Sequence, residues 1–417
     1  MSSRYYGRRT MMNDAAISTA GMASLHDRME RHVHDKRMPG LVALVAAGND
    51  VRFDAIGTMA FDSDTPMARD TIFRIASLTK AVIAVAAMTL VEEGKIQLAD
   101  SIDPHIPELA DRTVLRTIGS ALDDTVPAHR AITVEDLLTF RLGFGSVMAP
   151  PGTYPIQVEE ERLQLKTLVA PWPPAPHTPD SWIAALGSLP LIAQPGEQWM
   201  YNTGAAVLGV LVARVTGQPI EQYMRERIFD PLGMADTSFS VPVTNMDRFA
   251  TAYMPDLVTG ELDVLDAGRG GYWAQPPTFP DCSGGLVSTI DDVWAFASML
   301  VNGGAHGSVR VLQSASMRAI AADRLTRGQR EAVPMFLQPG ESWGLGMAVP
   351  ANDAQPGQAR GVGWDGGTGC TWRSDLDRRV TGILLTQRAV NSPEPPPHYV
   401  DFWRGVRTAT GSVPDRR

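Results

Sequence analysis

This chain has little cysteine, no excess of basic charge and no long apolar run, and each shortage removes a class of function. Only Cys282 and Cys370 are cysteines among 417 residues. No disulfide framework is implied, and two free thiols fit a reducing compartment, so a cytoplasmic location is expected. The formal net charge is −9. Nucleic-acid binders carry basic patches, so nucleic acid is not an expected partner. The longest apolar run, residues 81–91, is too short to span a bilayer, and no membrane association is expected. Arg8 and Arg9 are not followed by the apolar core that a secretory or twin-arginine leader needs. No His-Glu-x-x-His or paired-cysteine pattern occurs, and His32 and His34 face different sides of an expected helix, so neither a metal nor a cofactor is expected. The Gly-x-Ser-x-Gly pentapeptide of α/β-hydrolases is also missing.

What is present is ordinary globular composition, 44% hydrophobic and 20% charged, in a chain too long for one simple core. Residues 1–24 read as a flexible N-terminal segment and 25–36 as a polar helix. Two strand-like runs, 41–47 and 51–59, flank the hairpin signal Gly48-Asn49-Asp50. Helical patterns fill the middle: 81–91, 132–138 with Thr133 as cap and Asp136 at the third position, 204–215, 220–228 and 291–300. Strand-like runs return at 343–349, 361–364, 371–372 and 380–386. Strands at both ends with helices between suit a sheet built from both termini and a helical lobe inserted into it. Residues 143–179 are rich in proline and read as a lid or an irregular segment, with Tyr154, Trp172 and Trp182 available to line a pocket. His398, after three prolines, reads as part of a surface tail.

Three motifs carry chemistry. Ser77-Leu78-Thr79-Lys80 opens the apolar helical run. It puts a hydroxyl at a helix start and an ammonium one turn away, an arrangement that activates a serine nucleophile. Taken alone, Ser-x-x-Lys is common by chance. Tyr201-Asn202-Thr203-Gly204 follows Pro195-Gly196-Glu197 and starts another helix. A phenol beside a lysine ammonium reaches its phenolate form more easily and can act as a general base. A core tyrosine is the plainer alternative. Trp364-Asp365-Gly366-Gly367 lies between strand-like runs, where glycines permit close approach of a ligand. A backbone N–H there could complete an oxyanion hole with that of Ser77; a simple glycine turn is the alternative.

In this order and at this wide spacing, the three motifs resemble the serine β-lactamase and penicillin-recognising superfamily, in its class C-like branch. The resemblance runs from about Leu25 to about Arg388 and is reinforced by Gly94-Lys95-Ile96, Pro231-Leu232-Gly233-Met234, Ser283-Gly284-Gly285-Leu286 and Gly344-Leu345-Gly346. It implies an α/β plus all-α, β-lactamase/transpeptidase-like fold, an antiparallel sheet flanked by helices. The α/β lobe would comprise 25–75 and 285–417, the inserted helical lobe 76–284, with the site in the cleft between. Ser77 would match the nucleophile, Lys80 its activating partner and Tyr201 the base. Residues 364–367 would match the third motif, on the edge strand, with the Ser77 and Gly367 amides as oxyanion donors.

Two positions depart from true β-lactamases. Thr203 stands where an asparagine holds the antibiotic's amide, and Trp364 stands where a lysine helps bind a carboxylate. Trp-x-Gly is similar to the family VIII carboxylesterases and the related statin-side-chain acyltransferases. The resemblance therefore implies an esterase acting on a small-molecule ester through a Ser77 acyl-enzyme, with Thr203, Trp172 and Tyr154 near the substrate. A β-lactamase, a D-amino-acid peptidase or amidase, an acyltransferase and a catalytically inactive binding protein are the alternatives on this fold.

Overall fold

The computed structural model describes residues 16–165, 176–355, 361–392 and 394–411. In chain order the framing elements begin with helix α1 (Thr19–His34), strands β1 (Gly40–Ala47) and β2 (Asp50–Gly57), and helices α2 (Thr79–Glu92), α3 (Val134–Leu138), α4 (Thr203–Thr216) and α5 (Ile290–Val301). Strands β3 (Glu341–Trp343), β4 (Ala348–Pro350), β5 (Val362–Gly366), β6 (Cys370–Asp375) and β7 (Val380–Thr386) follow, and helix α6 (Pro397–Ala409) closes the set.

The strands form one antiparallel sheet in the order β3-β4-β5-β6-β7-β1-β2. The N-terminal hairpin joins the C-terminal meander through β1 and β7, with Leu41 opposite Thr386 and Ala47 opposite Val380. Every residue of β1 is buried, because alternate side chains feed two different layers. Leu41, Ala43 and Val45 pack with Leu384, Phe402 and Val406 under α1 and α6. Val42, Leu44 and Ala46 face the larger core that contains α2 and α4. All residues from Thr79 to Leu90 are buried, which is why this helix reads as apolar all round rather than amphipathic.

Three local expectations change. Helix α1 begins at Thr19, not 25, because Ser18 caps it by accepting the Gly21 N–H at 3.2 Å. The flexible N-terminal reading therefore cannot extend through residues 19–24. The run 343–349 is not one strand: its glycines turn between β3 and β4, and the Gly346 N–H donates to the Leu138 carbonyl at 2.9 Å. His398 is no surface tail; it is 2% exposed in the first turn of α6. By contrast, α3 carries the reciprocal cap between Thr133 and Asp136 that its sequence announces.

Among the described residues no single helix is long and apolar enough to cross a membrane. No group of three or more His, Cys, Asp or Glu among them could hold a metal ion.

Candidate active site

Ser77 sits in a 3₁₀ turn, Ala76–Leu78, that leads into α2; it does not cap the helix with its own side chain. Ala76 before it has φ +43°, a left-handed conformation that a residue with a Cβ adopts only when its surroundings impose it. Thr79 imposes it in part: its Oγ1 donates to the Ala76 carbonyl at 2.6 Å and accepts the Leu286 N–H at 3.2 Å. One turn on, Lys80 is 1% exposed. Its Nζ lies 2.9 Å from Ser77 Oγ and also donates to the Ser283 carbonyl.

Tyr201 reaches the same hydroxyl from the segment that precedes α4. That segment is fixed by two backbone bonds, Met200 N–H to the Phe140 carbonyl at 2.8 Å and Ser146 N–H to the Tyr201 carbonyl at 2.9 Å. Both Phe140 (φ +57°) and Asn202 (φ +88°) hold left-handed conformations. The Tyr201 hydroxyl donates to Ser77 Oγ at 2.8 Å and accepts a hydrogen bond from Trp364 Nε1 at 2.8 Å. Ser77, Lys80, Tyr201 and Trp364, which span 288 positions of the chain from 77 to 364, thus form one connected cluster. Aromatic rings enclose the phenol: Phe336 stacks on it at 4.5 Å, with Trp199, Phe140 and Trp364 at 5.7, 6.0 and 5.9 Å.

This enclosure reverses the expected proton preference. Burial pushes the Tyr201 phenol up to about 12, against the hydrogen bonds from Ser77 and Trp364 that favour its anion. Burial also pulls the Lys80 ammonium down to about 7, with Asp281 opposing it. Lys80 Nζ does lie over the Tyr201 ring, 4.5 Å from its centroid, yet desolvation outweighs that neighbour. Near neutral pH the site holds a neutral phenol and an amine able to take a proton. Tyr201 O–H and Lys80 Nζ thus both contact the same Ser77 oxygen.

The third motif lies on β5, which is an interior strand rather than the expected edge. Its pairing with β4 is limited to Gly363 opposite Ala348, and beyond it the strand runs along the Ser77 turn. A Cβ on Gly366 would stand 2.6 Å from the Ile75 carbonyl oxygen, so only glycine permits this approach. The Gly367 amide has no hydrogen-bond partner among the described residues. Asp365 does not belong with the oxyanion residues. Its neighbours on the strand, Trp364 and Gly366, face the Ser77 side, and strand alternation turns Asp365 away. Its carboxylate accepts hydrogen bonds from Thr371 Oγ1 at 2.5 Å and Arg373 Nη1 at 3.0 Å.

The expected pocket residues are scattered. Thr203 is the first residue of α4 and half-buried. Tyr154 precedes a helix at Pro155–Arg162 and packs against the main core. Trp182 is also core, stacked on Phe279 at 4.9 Å. Trp172 lies outside the described residues. Phe336, the ring nearest Tyr201, escapes sequence reading: it stands in an irregular stretch, Pro334-Met335-Phe336, with no motif around it.

Comparison with known proteins agrees with this architecture. The chain belongs to the Beta-lactamase family, whose model matches residues 25–400. It is 38% identical over 351 residues to protein Rv1367c of Mycobacterium tuberculosis, covering 81% of this chain and 82% of that protein. It is 27% identical over 396 residues to esterase EstB of Burkholderia gladioli, covering 90% and 92%. Among solved structures it superposes on EstCE1, a hydrolase with promiscuous acyltransferase activity, with a TM-score of 0.74 at 24% identity, over 93% of this chain and 100% of the other. The fold is therefore β-lactamase-like, and the family is one of serine hydrolases and acyl-transfer enzymes.

Proposed function

We propose that this protein is a carboxylesterase that cleaves neutral esters through an acyl-enzyme on Ser77. The carrying observation is Trp364: an indole N–H donates to Tyr201 where a β-lactamase of this fold would present a lysine ammonium. Arg373, whose guanidinium lies 5.8 Å from the Trp364 ring centroid, is 2% exposed and paired with Asp365 and Glu341. A carboxylate on the substrate finds no cation free to receive it among these residues, whereas a neutral ester loses nothing. The similarity to an esterase, EstB, supports the same reading.

In this mechanism Ser77 Oγ attacks the ester carbonyl as its proton moves to the neutral amine of Lys80. The Ser77 and Gly367 amides hold the oxyanion. As the C–O bond to the alcohol breaks, Tyr201 O–H protonates the leaving alkoxide and is restored by the Lys80 ammonium. Water then attacks the acyl-enzyme, again losing its proton to Lys80; the C–Oγ bond breaks, Tyr201 O–H protonates Ser77 Oγ and is restored by the Lys80 ammonium, and the free acid leaves. The two buried, unpaired cysteines suit a reducing, cytoplasmic setting.

The test is a panel of p-nitrophenyl esters of rising acyl length beside nitrocefin, with intact-mass detection of acyl-Ser77. The best ester should exceed nitrocefin by about a hundredfold in kcat/KM. Equal rates would return the protein to the β-lactamase reading, and the absence of any acyl adduct would return it to a binding protein.

A further inference from the structure

The stretch Asp281-Cys282-Ser283-Gly284-Gly285 is a turn closed by hydrogen bonds to Asp281. Asp281 builds it from inside. Its Oδ1 accepts the Ser283 N–H at 2.7 Å, and its main-chain carbonyl accepts the N–H groups of Gly284 at 3.2 Å and Gly285 at 2.8 Å. A side-chain oxygen that accepts the N–H two residues on is the Asx-turn, a local device that fixes the intervening backbone. The C-terminal end of the turn is anchored to its surroundings. Trp273 Nε1 donates to the Gly285 carbonyl at 2.9 Å, the Leu286 N–H to Thr79 Oγ1 at 3.2 Å, and the Ile75 N–H to the Leu286 carbonyl at 3.0 Å. Gly284 rests on the Ala76 backbone, and a Cβ there would lie 3.7 Å from the Ala76 carbonyl carbon.

One carbonyl of the turn is directed at chemistry. The Ser283 oxygen accepts from Lys80 Nζ and is, beside Ser77 Oγ, the other hydrogen-bond partner of that amine among the described residues. Ser283 is held by a peptide N–H bonded to a carboxylate on one side and a carbonyl bonded to Lys80 on the other. Asp281 is 7% exposed and Lys80 1% exposed, so the carboxylate acts on the ammonium across little solvent.

We infer that Asp281 is the positioning residue of this site: its carboxylate builds the turn that presents the Ser283 carbonyl to Lys80 Nζ and supplies the buried negative charge that the Lys80 ammonium meets when it takes the serine proton. The inference rests on the reading of Lys80 as proton acceptor of Ser77. The other groups around Lys80 do not compete for that role. Tyr201 is held neutral by burial, the Cys282 thiol is pushed well above its ordinary range by burial, and Asp365, on the far side of β5, pairs with Arg373. Asp281 raises the proton affinity of Lys80 against desolvation. Its loss lowers that affinity, so the acid limb of the rate profile moves to lower pH.

The experiment compares wild type, Asp281→Asn and Asp281→Ala with p-nitrophenyl butyrate between pH 5 and 9. Asparagine keeps the Asx acceptor and removes the charge. It should move the acid limb of kcat/KM down by about half a pH unit or more while keeping the plateau within about threefold. Alanine removes both and leaves the Ser283 N–H unpaired, so its plateau should fall by about tenfold or more in kcat with KM little changed. An Asp281→Asn limb that overlays the wild-type limb, or a uniform loss without a shift, overturns the inference and leaves the Lys80 reading standing. A Lys80→Ala variant that kept the wild-type rate would instead remove the Lys80 reading and the inference with it.

Discussion

Two clusters of buried titratable groups occupy opposite faces of the sheet, and they are built differently. On one face Ser77, Lys80, Tyr201 and Trp364 are joined in a single hydrogen-bonded set, with Ala76, Phe140 and Asn202 in left-handed conformations around it. Under α1 and α6, His32 Nε2 meets Asp401 Oδ2 at 3.0 Å, the His398 ring stands edge-on to it at 6.0 Å, and His398 Nε2 has no partner among the described residues. Both clusters shift proton affinities by burial. In the first, the shifted groups meet on one hydroxyl, that of Ser77. In the second, the rings join one helix to another. Burial of ionisable groups therefore does not by itself mark a site; a continuous proton path held by strained backbone does.

If that distinction is right, substitutions on the first face should change rate far more than fold. The largest effects belong to Ser77→Ala and Lys80→Met, each expected to lower ester kcat/KM by roughly four orders of magnitude, and the double variant by little more, because the residues act as a unit. Lys80→Met should also stabilise. The folded chain holds Lys80 at about 7 against an ordinary 10.5, so the unfolded chain binds this proton more tightly. Stability from this group is complete only above about 10.5 and is lost as pH falls toward 7. At pH 7 the methionine variant should melt several degrees higher than wild type. An inactive variant that melted lower would count against a depressed lysine. For wild type, kcat/KM should rise through about pH 7 and then level, since Tyr201 keeps its proton to about 12.

A smaller effect separates orientation from chemistry. Trp364→Phe removes the hydrogen bond that leaves the Tyr201 proton facing Ser77, and should cost about tenfold in kcat, the value of one neutral hydrogen bond in a buried site. Combined with Tyr201→Phe it should add little. Full additivity in stopped-flow acylation rates would show that Trp364 acts elsewhere. Smaller still is Phe336→Ala, which opens space over Tyr201. The rate ratio of bulky to small esters should rise roughly fivefold, read on the same panel of esters.

Much of the first face was legible because its residues sit in motifs at element starts. Ser77 and Lys80 are one helical turn apart, Tyr201 precedes a glycine-containing helix, and Gly366 marks a close approach to the Ser77 turn. The direction of the proton-affinity shifts was not legible. It depends on how many rings enclose Tyr201, and those come from residues 140, 199, 336 and 364, which share no sequence pattern. Asp365 shares the third motif, but strand alternation turns it toward Arg373, which motif adjacency alone does not reveal. His398 was misread because three prolines look like a tail, although Pro396 and Pro397 in fact start α6. Ser18 as the cap of α1 was readable from residue type and was overlooked because no apolar period follows it closely.

The second face gives the smallest and most specific prediction, on stability rather than rate. Burial pushes His398 down to about 3 from an ordinary 6.5, and His32 is also lowered, with Asp401 opposing the burial. For a histidine whose folded affinity is depressed, the unfolded chain binds the proton more tightly. The stability it contributes is complete above about pH 6.5 and is lost progressively as pH falls toward 3. Lowering the pH from 7.5 to 5 should therefore lower the melting temperature of the wild type. His398→Leu removes the titrating group and fills the same space between α1 and α6 with an apolar side chain. Its melting temperature should fall distinctly less over that interval, while its plateau ester kcat/KM at pH 8 stays within about twofold of wild type, since the sheet separates it from Ser77. Parallel melting curves for the two proteins would show that acid sensitivity resides elsewhere. A large loss of rate would show that the two faces are coupled through β7, and the distinction between the clusters would fail.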